Sequence, residues 1–291
     1  MKTLLLTLLL VCTAALASRA ATTINPVNKF AYGANIGWVN WRGDVANGAV
    51  IGEYICSGYI YSANVGWIKL GSGTAADGIR YQNLVAGDFG VNHDGAGNLR
   101  GYAYGANIGW VKFEDLGAPK IDLKTGNMSG FAYGANVGWI SLSNAQALVQ
   151  TDTIRMGADT DGDGLSDAWE LTHAAGLGIL NGTDDSDGDG RSNAEEYVAD
   201  TDPLDATSIM QLTSYVFGAL GSPVTLTWSS RPTRVYYVQK VAEFVEPPPY
   251  GWVDVLGVIC PDPGPTTTRM FADPASPQRF FRIAVQKPLA P

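Results

Sequence analysis

The chain is 291 residues long, 10% aromatic and only 16% charged, with a net charge of −9. That length holds two or three small domains with their own cores, and the acidity leaves no basic patch to meet nucleic-acid phosphate. Two His, three Cys and no HExxH, GxSxG or GxxxxGK(S/T) phrase exclude several familiar catalytic arrangements. Residues 1–20, MKTLLLTLLLVCTAALASRA, place Lys2 before an apolar run from Leu4 to Leu16 and then small residues. This is the pattern of a secretory signal peptide with cleavage after Ala17 or Ala20. The run falls short of the roughly 20 residues a membrane span needs. Cys12 leaves with the signal, and Cys56 and Cys260 remain, compatible with one long-range disulfide or two free thiols. No second apolar span follows.

Four copies of one phrase come next: FAYGANIGWVNW at 30–41, YIYSANVGWIKL at 59–70, YAYGANIGWVKF at 102–113 and FAYGANVGWISL at 131–142. Their starts lie 29, 43 and 29 residues apart; copies one and three share ANIGWV, and copies two and four share ANVGWI. A pair of units has therefore been duplicated. The aromatic-Ala-Tyr and Gly-Trp-Ile/Val pieces alternate as strands, and Gly/Ser-Ala-Asn between them is turn chemistry. Further strands are expected at Ala49–Cys56 and Lys120–Leu123. The pattern predicts an all-β domain over 25–145, built as stacked hairpins, a sandwich or a propeller-like closure. Trp38, Trp67, Trp110 and Trp139 are expected in its core, and the repeated Asn in a left-handed turn position. A second reading makes those four Trp, with Tyr and Asn, a sugar-binding surface. Over 30–142 the phrase resembles a repeat of secreted bacterial surface proteins, which implies an extracellular structural or adhesive module.

Residues 151–205 concentrate the acidity, with 15 Asp or Glu against two Arg. Within them Asp159–Glu170 (DTDGDGLSDAWE) and Asp185–Glu196 (DSDGDGRSNAEE) both fit D-x-D-x-D-G-x5-E. Calcium takes six to eight oxygens from such a loop. The expected ligands are Asp159, Asp161, Asp163, the Leu165 carbonyl, Asp167 through water and Glu170. In the second loop they are Asp185, Asp187, Asp189, the Arg191 carbonyl, Asn193 and Glu196. Two Ca²⁺ sites follow. Ser166 and Ser192 read as N-caps of short helices at 167–175 and 193–199, with Leu171 packing on Tyr197 and no helix entering either loop. These phrases resemble thrombospondin type 3 and dockerin-like, EF-hand-type calcium repeats over 159–203, which implies structural calcium.

Residues 208–287 return to strands: Val224–Trp228, Val235–Lys240, Gly251–Val255, Thr266–Phe271 and Arg279–Val285. Pro247–Pro249 and Pro261–Pro265 mark loops. Five or six strands suggest a small sandwich. LTW, YYVQ and FFRIAV resemble a fibronectin type III domain.

The fold class is thus mainly β, with a short calcium-loop and helix segment between two β domains. The leading function is a secreted, non-enzymatic, calcium-binding structural or adhesive protein of the bacterial cell surface or extracellular matrix. Its partners are calcium and a cell-envelope component, a polysaccharide or another surface protein. A lectin is the alternative. A glycan hydrolase using two of Glu53, Glu114 and Asp115 ranks below both. His93 in VNHDGAGN reads as a loop residue and His173 as a solvated one.

Overall fold

A computed structural model describes residues 22–44, 46–217, 222–243, 251–272 and 280–290; the expected signal peptide lies outside them. The first thirteen strands are β1 Ile24–Gly33, β2 Gly37–Asn40, β3 Val50–Ile51, β4 Cys56–Ser62, β5 Gly66–Gly71, β6 Val91–His93, β7 Leu99–Gly105, β8 Gly109–Phe113, β9 Lys120–Ile121, β10 Met128–Ser129, β11 Phe131–Gly134, β12 Gly138–Ser141 and β13 Val149–Thr151. Each repeated phrase is one hairpin: β1–β2, β4–β5, β7–β8 and β11–β12. β2 then pairs β4, β5 pairs β7, β8 pairs β11, and β12 returns to β1. Eight antiparallel strands therefore close into an up-and-down barrel with no free edge.

The hairpin turns explain the repeated Asn-Ile/Val-Gly. A type I turn is closed by a residue in the left-handed region, and here that residue is the glycine opening the return strand, Gly37, Gly66, Gly109 or Gly138, at φ 70° to 81°. The left-handed position thus belongs to Gly and not, as expected, to Asn, because Gly carries no Cβ to clash. The Asn amides do something else. Asn64 Nδ2 donates to Ile36 O at 3.1 Å, Asn107 to Val65 O at 3.0 Å, Asn136 to Ile108 O at 3.0 Å and Asn35 to Val137 O at 3.1 Å. Each unit is tied to the preceding one, and the first to the last.

The strand period of two decides which residues fill the barrel. Ala31 faces Val39, Ile60 faces Ile68, Ala103 faces Val111 and Ala132 faces Ile140, all buried. A second buried layer holds Trp41, Leu70, Phe113 and Leu142, with Trp41 edge-on to Phe113 at 6.3 Å. Ile36, Ile108 and Val137 plug the turn end. The expectation that Trp38, Trp67, Trp110 and Trp139 form the core is overturned. They are 42–48% exposed, on the outer face, one residue out of phase with Val39, Ile68, Val111 and Ile140. An eight-stranded barrel is only just wide enough for side chains, and four indoles at one level would not fit inside.

The acidic segment follows, with α1 (Asp167–His173) and α2 (Asn193–Ala199). The rest of the chain is β14 Leu212–Phe217, β15 Val224–Ser229, β16 Val235–Val241, β17 Val253–Asp254, β18 Thr266–Phe271 and β19 Phe280–Gln286. They form two three-stranded sheets, β14-β15-β18 and β17-β16-β19. Val224, Leu226, Trp228, Tyr236, Val238 and Phe271 make their shared core. The Pro247–Pro249 loop lies outside the described residues. Cys56 is buried and Cys260 exposed; both are free thiols, so no disulfide joins the barrel to the sandwich. Burial pushes the Cys56 thiol up to about 12. Among the described residues no helix is long and apolar enough to cross a membrane.

Helix α2 sits where the three parts meet. Tyr197 Oη donates to Glu53 Oε2 of the barrel at 2.6 Å. Lys287 Nζ, just past β19, donates to Glu53 Oε1 at 2.7 Å and lies over the Tyr197 ring. From the sandwich, Arg234 donates to Val198 O at 2.6 Å and Tyr197 O at 2.7 Å. Thr233 bonds to Asp200, the left-handed C-cap of α2. The chain end closes the loop, Ile154 N donating to Leu289 O at 2.9 Å.

A filled barrel resists added bulk. Ala103→Leu should lower stability by about 1–3 kcal/mol through overpacking, and Asn64→Ala by about 1 kcal/mol through loss of one amide bond. Urea unfolding measures both; an unchanged midpoint for Ala103→Leu would show that the interior has room.

Candidate metal centre

Both acidic loops fold around their own backbone. Asp159 accepts from Gly162 N at 2.8 Å and Gly164 N at 3.1 Å. Asp185 accepts from Gly188 N at 2.9 Å and Gly190 N at 3.0 Å, the same bonds one repeat later. Asp163 and Asp189 each take the backbone N–H two residues on, from Leu165 at 2.8 Å and Arg191 at 2.7 Å. This winding brings one oxygen each from Asp159, Asp161 and Asp163 within 4.8 Å of one another, and likewise from Asp185, Asp187 and Asp189. Oxygens about 2.4 Å from one calcium ion cannot be further apart than that.

The two position-12 residues come from the helices. Glu170, in α1, is fully buried; its Oε1 accepts from Gly178 N at 3.2 Å, and its Oε2 has no partner. Glu196, in α2, is 1% exposed, and neither of its oxygens has a partner. Asp187 Oδ2, Asp189 Oδ2 and Asn193 Oδ1 are likewise buried and unpartnered. Buried carboxylate oxygens left without donors are costly. Burial, with Asp161, Asp163 and Asp167 nearby, raises the pKa of Glu170. Burial, with Asp187, Asp189 and Asp202, pushes Glu196 up to about 7. An all-oxygen set with surplus negative charge suits a hard divalent cation and no softer metal. Calcium fits these residues: it would neutralise the charge of the two Asp triads, which has no ion-pair partner among the described residues.

Position 9 also makes bonds within its own loop. The Asp167 carboxylate accepts from Thr160 N at 2.7 Å and Thr160 Oγ1 at 2.6 Å. Asn193 Nδ2 donates to Ser186 Oγ at 3.0 Å and Asn181 O at 2.8 Å. In both loops position 9 therefore braces position 2. Leu165 is buried and Arg191 exposed, each at the carbonyl position of its loop.

The helices are those expected, with two corrections. Ser192 makes a full capping box with Glu195, while the Ser166 hydroxyl makes no cap bond. Tyr197 packs not on Leu171 but on Trp169, at 5.2 Å between ring centroids. Trp169, Leu165, Leu180 and Tyr197 form a separate small core under the loops. Neither loop is entered from a helix; bends and turns over 174–183 lead into the second. The loops also interlock, since Gly182 N donates to Asp163 Oδ2 at 2.8 Å.

The other candidate residues lie elsewhere. His93 is buried in β6, its Nδ1 bonded to Gly52 O at 3.0 Å, so it is no loop residue. Burial lowers its pKa. His173 is half-buried, stacked on Trp169 and bonded to Trp169 O at 2.9 Å rather than solvated. Glu53 is held by Tyr197 and Lys287, Glu114 by Lys112 and Asp115 by Arg100. Trp38, Trp67, Trp110 and Trp139 stand on the outer barrel face, each against a Tyr of its own hairpin at 4.8–5.2 Å.

Two stretches, residues 159–173 and 185–206, match the Bacterial TSP3 repeat, a calcium-binding repeat family. No curated protein and no solved structure matches the chain.

The raised pKa of Glu196 fixes a sign. A carboxyl held above its ordinary 4.5 favours the protonated, calcium-free fold at low pH, and that contribution is lost as pH rises through 7. Calcium must displace this proton. Its affinity for the second loop should be level above pH 8 and fall below pH 7, approaching about tenfold per pH unit. Calorimetry in buffers of different ionisation enthalpy reads both the affinity and the proton released. An affinity unchanged between pH 8 and pH 6 would remove Glu196 from the ligand set.

Proposed function

We propose that this is a secreted, non-enzymatic calcium-binding protein of the bacterial cell surface or extracellular matrix, structural or adhesive in role. In it, calcium rigidifies the segment joining a β-barrel to a β-sandwich. The observation that carries the reading is the double duty of α2. Its Glu196 offers two unpartnered oxygens to the second loop, while the next two residues hold the neighbouring domains: Tyr197 bonds Glu53 of the barrel, and the Tyr197 and Val198 carbonyls take Arg234 of the sandwich. A cation that fixes Glu196 also fixes these bonds. Extracellular calcium modules work at about 10⁻⁴–10⁻³ M, which suits a permanent brace rather than a sensor.

The candidate partners are an envelope component, a polysaccharide or another surface protein. A polysaccharide is favoured by one finding, the outward position of the four repeated Trp. Exposed aromatic surface this regular is unusual on a soluble protein, and indole faces stack on the apolar faces of sugar rings. The lectin reading and the adhesive reading therefore converge on the barrel exterior.

At 10 mM calcium, two such sites should add about 3–5 kcal/mol of stability to the folded chain. Thermal unfolding with calcium and with chelator measures this, and Asp187→Asn should remove about half of it. Chelation should also release the protein from washed envelopes of its host. A melting curve indifferent to calcium would overturn the bracing role; retention indifferent to chelator would separate adhesion from it.

A further inference from the structure

The four outer aromatic platforms are not equivalent. Copies two and three start 43 residues apart instead of 29, and the extra chain folds over the third platform. Its base is fixed by Tyr81, whose Oη donates to Cys56 O at 3.1 Å and accepts from Gly73 N at 2.7 Å. Asp88 accepts from Ala76 N at 3.1 Å and Gln82 N at 2.9 Å, and Asn83 accepts from Gly90 N at 3.0 Å. On this anchored base Leu84 and Val85 project into solvent, 85% and 65% exposed. Phe89 stands edge-on to Trp110 at 5.0 Å. Leu84, Val85, Phe89, Tyr102 and Trp110 thereby line an open cleft of about 320 Å³. That volume is at the small end of ligand sites, the size of one or two sugar rings.

The charge around the cleft is one-sided. No acidic residue lines it, although the chain carries −9. The Lys69 ammonium lies over the Phe89 ring, 5.6 Å from its centroid, with no carboxylate partner among the described residues. A cation at the rim of an acid-free aromatic cleft complements an anion that also has an apolar face. A peptide strand finds no open backbone here, because β7 and β8 are paired on both sides within the closed barrel.

We propose that this cleft is the principal subsite for an acidic polysaccharide, the apolar face of a uronic-acid ring lying on Trp110 and its carboxylate on Lys69. The proposal rests on the carbohydrate reading above and narrows it to one platform and one class of sugar. The other platforms add weaker contacts along the same polymer.

The test is calorimetric titration of the mature, calcium-loaded chain with short oligogalacturonates, with cellohexaose and polyglutamate as controls. Oligogalacturonate should bind, and Trp110→Ala and Lys69→Gln should each weaken it by about tenfold or more. Trp38→Ala and Trp139→Ala should cost less than about threefold. Leu84→Ala changes a side chain that packs on little else, so it tests the cleft even where Trp110→Ala fails to fold. Equal losses from Trp38→Ala and Trp110→Ala would overturn the cleft and leave the carbohydrate reading standing. Binding of cellohexaose that Lys69→Gln does not alter would overturn the acidic assignment. Polyglutamate bound as tightly as the oligouronide would overturn the sugar. Binding of no glycan would overturn the carbohydrate reading together with the cleft.

Discussion

Between one hairpin and the next, the barrel wall holds only two residue pairs, and an asparagine amide reaches across each seam. Closure rests on these four seams. With the ring closed, the interior has a fixed width, and that width dictates the rest. Ala opposes Val or Ile inside three of the units, and Ile60 opposes Ile68 in the second; Gly must end the strand where Ile36, Ile108 or Val137 folds in, and every Trp beside the turn must go out. A Cβ on Gly33, Gly105 or Gly134 would come within 2.6–2.8 Å of those plugging side chains. The second unit carries Ser62 at this place; its hydroxyl bonds Ile36 O at 2.9 Å, and Val65 is only partly buried. The exception follows the same steric rule.

The calcium segment is organised on another principle. Its hydrophobic core is only a handful of residues, too small to hold two loops of carboxylates together. The loops instead use backbone N–H groups to aim the aspartates, and they leave the inward oxygens unpaired. Helix α2 then converts local order into contact with two domains. The Glu53–Lys287–Tyr197 cluster joins residues far apart in sequence, and burial draws the Lys287 ammonium down to about 8 against the pull of Glu53. The barrel, the loops and the sandwich are thus held by polar contacts with specific geometry rather than by a broad apolar interface.

Much of this was legible in the residues. The D-x-D-x-D-G spacing located both loops and both helices, because calcium chemistry permits few substitutions at those places. The repeats announced hairpins. What misled was the phase of the Trp. A large aromatic beside Gly looks like core, yet the same phrases carry Ala31, Val39 and Trp41 on the alternate positions, and the smallness of Ala marked the crowded side. The Asn amides bond to a neighbouring unit, which no local pattern can reveal. His93 was hidden in a turn-rich phrase because the groups that hold it, the Gly52 and Tyr54 carbonyls, lie far away in sequence. Trp169 took the place expected of Leu171, being fully buried while Leu171 is only half-buried. Leu212–Phe217 was passed over as a strand, having both faces exposed and no alternation to betray it.

The seam between the last unit and the first is made of the same bonds as the internal seams. The ring therefore has no chemical beginning. Half of it, two hairpins, would carry an unmatched donor edge on one side and its matching acceptor edge on the other. Two such halves close on each other with no new contact invented. The 72-residue spacing from copy one to copy three is the length of one such half. A circularly permuted barrel opened at another seam would meet the same closure chemistry.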